Sequence, residues 1–199
     1  MSIKGSITTS NYIDYDKALN KGLSLMEQKI DCFYFNYSKM YREEIIGFYI
    51  ITSINVGLRI GDILELTFED FRRGHKTFRE QKTGKAKTVV FNETILKAFN
   101  KVYFSSKRTG YVFTSQKGSV YSRQQINRLL KDIFKSKDKN ISSHSLRKTF
   151  GRRVYEKNNE SDKALLMLNE IYNHSSIAQT RAYLDITQDE INSVYESIC

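Results

Sequence analysis

The chain has 199 residues, 40% hydrophobic and 27% charged, with a net charge of +10 and a pI near 9.5. That composition fits one globular domain with at most a short extension and excludes a disordered chain. No apolar run approaches the ~20 residues that span a bilayer, and the N-terminus MSIKGSITTSNY lacks a signal-peptide core. Cys32 and Cys199 form neither a disulfide framework nor a zinc-ligand spacing, so a cytoplasmic protein is expected.

In chain order, Leu19, Leu23 and Met26 recur three or four apart and predict a helix over 14–30. A second helix is expected from about Tyr41 to Val56, ended by Gly57, and a third from Asp62 to Phe68. KTFREQ (76–81) and KTVVF (87–91) read as two short strands joined by a turn at Thr83-Gly84. ETILKAFNKVYF (93–104) is helical in pattern, and YVF (111–113) is a candidate third strand. Ser122 and Gln125 form a capping box that opens a basic helix to about Lys135. Ser143, Ser161 and Ser176 are candidate caps for helices over 144–157, over 162–172 and up to Tyr183. Thr187 and Glu190 form a capping box for a last helix over 188–198, with Ile191, Val194 and Ile198 in one apolar stripe. The class is therefore mostly α with a small antiparallel β-sheet, α+β.

The positive charge is not spread evenly. Residues 72–91 carry seven basic side chains against one acidic, and residues 123–153 carry ten against two. Residues 184–199 carry four acidic side chains and no basic one. Two basic blocks of this kind suit phosphate contacts, with nucleic acid the leading partner. The helix from Ser122 presents Arg123, Gln124, Gln125, Asn127, Arg128 and Lys131, residue types that read base edges or hold phosphates. The alternative is an ordinary surface helix held by Ile126, Leu129, Leu130 and Ile133.

Several residues could carry chemistry. Arg59 follows a helix end, with Asp62 three residues on. Lys82 lies in the hairpin turn. His144 precedes Arg147 by three residues near a helix start, so the two share a face. His174 precedes Tyr183 by nine. Taken singly, each has an ordinary structural role available: surface arginine, solvated turn lysine, helix-capping histidine, packed tyrosine. Taken together, the order Arg…Lys…His-x-x-Arg…His-x8-Tyr resembles the tyrosine recombinase (phage integrase) family. The matching segments are VGLRIGDILELTFEDF (56–71), QKTGKAKTVVF (81–91), SHSLRKTF (143–150) and NHSSIAQTRAYL (173–184). One departure is visible. The family usually has Gly before the second histidine, in an LGH triplet, and this chain has YNH with Asn173. Asn is the next most tolerant residue for a left-handed conformation.

The resemblance implies a catalytic domain over 41–187, an N-terminal extension over 1–40 whose helix packs on it, and a C-terminal amphipathic helix over 188–199 exchanged between protomers or docked on its own domain. It implies Tyr183 as nucleophile, assisted by Arg59, Lys82, His144, Arg147 and His174, with Asp62 supporting the first arginine. Lys85, Lys87, Lys148 and the side chains of the Ser122 helix are the expected DNA contacts. The implied reaction is cutting and rejoining of double-stranded DNA through a 3′-phosphotyrosyl bond, with no cofactor. The sequence lacks the carboxylate-rich cluster of a magnesium-dependent nuclease, which accords with that expectation. A homotetramer on DNA and a monomer in free solution are implied, with accessory DNA-bending proteins and a bacterial, phage or mobile-element source. Too few residues precede the resemblance for the usual separate N-terminal domain, so either a catalytic domain cut from a longer integrase or a one-domain enzyme is expected. The competing functions are a type IB topoisomerase and a catalytically silent DNA-binding protein of the same fold.

Overall fold

The computed structural model describes residues 10–27, 37–79, 86–103, 107–135 and 140–186. Among them α1 (Tyr15–Glu27), α2 (Tyr37–Val56), α3 (Ile60–Leu64) and α4 (Phe68–Arg73) precede a hairpin of β1 (His75–Arg79) and β2 (Ala86–Val90). Then follow α5 (Glu93–Tyr103), α6 (Arg123–Phe134), α7 (Ser143–Lys157), α8 (Asp162–Tyr172) and α9 (Ile177–Tyr183). None of the described helices is long and apolar enough to cross a membrane.

The apolar pattern of α2 explains its central place. Ile45, Ile46, Phe48, Tyr49, Ile50, Ile51 and Ile54 are all buried, and a helix apolar nearly all round must be covered on every side. It is covered by α1, α5 and α7. Phe48, Phe71, Phe91, Phe99, Tyr103 and Phe113 interlock beside it with ring centroids 4.7–6.4 Å apart. Before α1, Ile13 is stitched to α7 twice: its N–H donates to Thr149 Oγ1, and the Thr149 hydroxyl donates to its carbonyl. A smaller cluster of Leu165, Leu168, Tyr172 and Leu184 lies under α8 and α9.

The mostly helical architecture with a two-stranded antiparallel sheet matches the class read from the sequence, and three details differ. The single helix expected over 62–68 is two helices. The second starts at Thr67, whose hydroxyl accepts from Asp70 N–H while Asp70 accepts from Thr67 N–H, a reciprocal cap that interrupts the chain at Leu66. Helix α7 is capped by Ser142, not Ser143. The Ser142 hydroxyl accepts from His144 N–H and Ser145 closes the box, so the helix begins one residue earlier. Finally, YVF is no strand. Tyr111 makes one isolated bridge to Thr67, and Val112 and Phe113 are buried as a core-filling loop. The sheet has only β1 and β2, paired from His75↔Val90 to Arg79↔Ala86.

Candidate active site

Gly57 ends α2 with φ +61°, and a Cβ there would lie 2.2 Å from the Phe150 ring of α7. Only glycine allows both the turn and this close approach. The turn delivers Arg59 to the N-terminal edge of α3, facing the first turns of α7. Between them lies a cleft of about 170 Å³ lined by Arg59, Asp62, Arg123, Ser143, His144 and Arg147. His144 stands exposed on the first turn of α7 and Arg147 one turn later, only 4% exposed.

The other wall is the C-terminus of α8. A helix end leaves four carbonyls without intrahelical partners, and all four are satisfied here. Asn173 adopts the left-handed conformation, φ 53°. It thereby lets His174 N–H reach Asn169 O and its own N–H reach Glu170 O, the pattern of a Schellman cap. The last two carbonyls are taken by cations. Lys87 Nζ donates to Ile171 O at 2.7 Å. Arg59 and Arg147 both donate to Tyr172 O, at 3.0 and 3.2 Å. Three positive charges thus gather at the negative end of the helix dipole, the end that stabilises them. Two guanidiniums that share one oxygen are also close enough to share one phosphate, and each has five N–H donors to divide.

The cap fixes His174 beside α9. His174 Nδ1 pairs with Thr180 Oγ1 at 3.0 Å, and the same oxygen accepts from Asn169 Nδ2 at 3.2 Å. Where the Thr180 hydroxyl donates to Nδ1, the imidazole proton sits on Nε2; where it accepts from Nδ1, the proton sits there instead. Ser176 caps α9 by accepting from Gln179 N–H, and Tyr183 closes that helix with its ring centroid 5.3 Å from His174 and 5.2 Å from Tyr172. Among the described residues the buried Tyr183 hydroxyl makes no hydrogen bond of full geometry, and the Arg147 guanidinium acts on it at looser geometry.

Electrostatics follow from this crowding. Burial, then the charges of Arg147 and Arg59, push the His174 pKa down to about 4, so the ring is neutral at pH 7. The His144 pKa is also lowered, first by desolvation and then by Arg147, Arg59 and Lys148. Burial pushes the Tyr183 hydroxyl up to about 12, with Arg147 and Arg59 pulling in the opposite direction. Asp62 lines the cleft and acts on Arg147 through its charge. The hydrogen bond that Arg59 makes is to Tyr172 O and not to Asp62.

A model of the phage integrase family matches residues 36–190. The chain belongs to this family. Among its relatives is the probable integrase/recombinase YoeC of Bacillus subtilis, 32% identical over 152 residues that make up 75% of this chain and 82% of that protein. Another is the tyrosine recombinase XerD of Corynebacterium glutamicum, 26% identical over 148 residues that make up 70% of this chain but 47% of XerD. The fold is that of solved tyrosine recombinase catalytic domains. The XerA recombinase gives a TM-score of 0.64 at 19% identity, over 99% of this chain and 66% of XerA. The catalytic domain of bacteriophage HP1 integrase gives 0.53 at 18% identity, over 94% of both chains.

Within this family member the structure draws Arg59, His144, Arg147, His174 and Tyr183 together around the α8 terminus and its cleft. Lys82 and Lys85 lie outside the described residues, as does the expected helix over 188–198. The expected DNA contacts divide. Arg123, Gln124, Arg128 and Lys131 are exposed on α6, and Arg123 reaches into the cleft. Asn127 is occupied, because its Oδ1 accepts the Ser143 N–H at the start of α7. Gln125 is likewise held in the capping box of Ser122. Lys87 is turned onto the α8 terminus.

Lys148 departs furthest from expectation. It is 1% exposed, and its ammonium is gripped by both carboxylate oxygens of Asp185 at 2.7 and 2.9 Å. Its place in a basic block suggested a surface, yet on α7 it follows the buried Arg147 and points inward. Three features carried no sequence signal: the Lys148–Asp185 pair, the Asn169–Thr180 support of His174, and the position of Tyr172 among all the others.

Proposed function

We propose that this chain is a site-specific DNA recombinase that cuts and rejoins double-stranded DNA through a 3′-phosphotyrosyl intermediate, without metal or ATP. The observation that carries the reading is the convergence of the Arg59 and Arg147 guanidiniums on one oxygen, beside His174 and Tyr183. Among the structural neighbours, a XerH recombinase bound to its difH substrate in a post-cleavage complex gives a TM-score of 0.58, over 94% of this chain and 53% of XerH. A lambda integrase dimer bound to a core site also gives 0.58. Double-stranded DNA is the partner these neighbours suggest for this chain.

In the proposed reaction Tyr183 Oη attacks the scissile phosphorus. The Oη–P bond forms, the P–O5′ bond breaks, and the 5′ end leaves as a hydroxyl. Arg59 and Arg147 take the non-bridging oxygens, which gain charge in the transition state. Their donors are already grouped, so positioning rather than bond chemistry is what the protein supplies. His174 is neutral, and in the tautomer that carries its proton on Nε2 it adds a hydrogen bond to the phosphate. The phenol proton needs an acceptor, because an unaided hydroxyl near 12 gives almost no phenolate at pH 7. His144 serves, since its lowered pKa keeps the ring neutral and able to accept. Lys82 is the donor to the leaving 5′ oxygen. A 5′ hydroxyl from a partner duplex then reverses the chemistry and completes strand exchange.

Four copies assembled on two duplexes, and a monomer without DNA, complete the reading; sedimentation with and without a bound duplex tests that part. Incubation with two marked duplexes carrying the same target tests the exchange itself. Recombinant strands support the proposal. Relaxation of supercoiled plasmid without exchange supports a topoisomerase in its place.

A further inference from the structure

Tyr172 occupies the position that leucine holds in the usual LGH triplet, and it meets Arg147, His174 and Tyr183. Its side chain is fully buried. Its hydroxyl donates to the main-chain carbonyl of Arg147 at 2.7 Å. The Arg147 guanidinium lies over its ring with Cζ 4.3 Å from the centroid, inside the range of a cation–π contact. The ring meets His174 and Tyr183, each with centroids 5.2 Å away. The main-chain carbonyl that binds both arginines would survive a change of side chain. The ring face and the hydroxyl would not.

A second observation, on another helix, points the same way. Gly151 lies inside α7, where glycine is unfavourable relative to alanine. A Cβ there would come within 2.4 Å of Tyr172 Oη and 2.5 Å of Leu184 Cδ2. The hydroxyl fits only because α7 carries no side chain at that point. Tyrosine at 172 and glycine at 151 are thus matched, and both flank Arg147.

We propose that Tyr172 is a positioning residue that sets the plane of the Arg147 guanidinium through its ring face, its bond to the Arg147 carbonyl only helping to seat the ring. The guanidinium is thereby presented ready for bidentate phosphate binding. The inference rests on the recombinase reading for its purpose, and on geometry alone for its effect on Arg147. A guanidinium has several rotatable bonds above a flat fork, and bidentate recognition requires that fork in one plane. The aromatic face removes that freedom before the phosphate arrives.

Two measurements test this. In the side-chain NMR spectrum of the full chain without DNA, the Arg147 Nε–H resonance is expected to be ring-current shifted and slow to exchange. Tyr172→Phe keeps that signature. Tyr172→Leu loses it while its backbone amide spectrum remains that of a folded protein. An Arg147 signal unchanged in Tyr172→Leu overturns the proposal. Gly151→Ala offers a second route if Tyr172→Leu does not fold, because it crowds the same ring from α7 and should move the same resonance; an unmoved resonance there also counts against the proposal. The second readout is single-turnover cleavage of nicked duplexes tiled across the DNA flanking the gene. Tyr172→Leu is expected to cleave about 30-fold more slowly and Tyr172→Phe within about threefold of the parent. In an Arg147→Lys background the same leucine change should have no further effect. An equal factor in both backgrounds marks a merely structural tyrosine and refutes the proposal. If the parent chain cleaves no duplex, the recombinase reading fails, while the Arg147 resonance still decides what Tyr172 does to Arg147.

Discussion

Around α2, Phe71 meets Phe48, Phe91, Phe99 and Phe113 with ring centroids 4.7–6.4 Å apart. Around α8 and α9, four buried apolar residues form a cluster of their own. The segment bearing Tyr183 places Tyr183, Leu184 and Ile186 on that smaller cluster and adds two polar ties, Lys148 to Asp185 and His174 to Thr180, while two arginines bind Tyr172 O at the end of α8. The first region derives its stability from area removed from water, which no small shift can exchange for something else. The second has a smaller apolar cluster and more directed contacts, and the arginine bonds to Tyr172 O are ones a phosphate can compete for. The proposed nucleophile sits on the second kind of attachment, and segments with fewer apolar contacts open at lower cost.

Removing the aromatic hub should have the largest effect on stability. Phe71→Ala is expected to cost about 3–5 kcal/mol, read by urea unfolding. A cost below 1 kcal/mol would mean that the core around α2 is no better packed than the rest, and the contrast would collapse. Next is Asp185→Asn, which strands the buried Lys148 ammonium. A loss of about 1–3 kcal/mol is expected, confined to α8 and α9 in hydrogen exchange while α2 stays protected. Acceleration spread equally over α2 would show that the segment bearing Tyr183 is not a separate unit.

The left-handed cap is a smaller test. Asn173→Val should cost about 1–2 kcal/mol, the penalty for a β-branched residue at positive φ, whereas Asn173→Gly should lose nothing; thermal unfolding of both variants decides. A different kind of test is a pH dependence. The His174 pKa is about 4 in the folded chain and near 6.5 when unfolded. As pH falls below about 6.5 the unfolded chain takes the proton first, so stability is full above that value and declines toward pH 4. His144, also lowered, adds in the same direction. An NMR titration should find the His174 ring neutral at pH 5.5. A ring half-protonated near 6.5 would place it in solvent and remove the enclosed side of the comparison.

What could be read in advance follows the same division. Helices with a serine cap and a regular stripe were legible: Ser122, Ser161 and Ser176 each open the helix their spacing suggested. The motif order also groups Arg59, His144, Arg147, His174 and Tyr183, and the structure gathers these five around the α8 terminus and its cleft. Other features were hidden for physical reasons. Thr67 and Asp70 form a cap with aspartate where glutamate is usual, so the break before α4 was missed. Tandem Ser142 and Ser143 could not be told apart as caps without the backbone. Lys148 was counted with its basic neighbours, although on a helix the next residue points 100° away. Tyr172 gives no signal in a chain of 13 tyrosines; its role comes from Gly151 and Arg147, which only the fold brings beside it.

The most direct test of the central claim is covalent capture at Tyr183. The chain and its Tyr183→Phe variant are mixed with nicked suicide duplexes in EDTA, denatured in SDS, and digested for mass spectrometry. The account predicts an SDS-resistant adduct with the parent chain only, with the nucleotide mapped to the Tyr183 peptide. An adduct that persists in Tyr183→Phe, or one mapped to another residue, would contradict it.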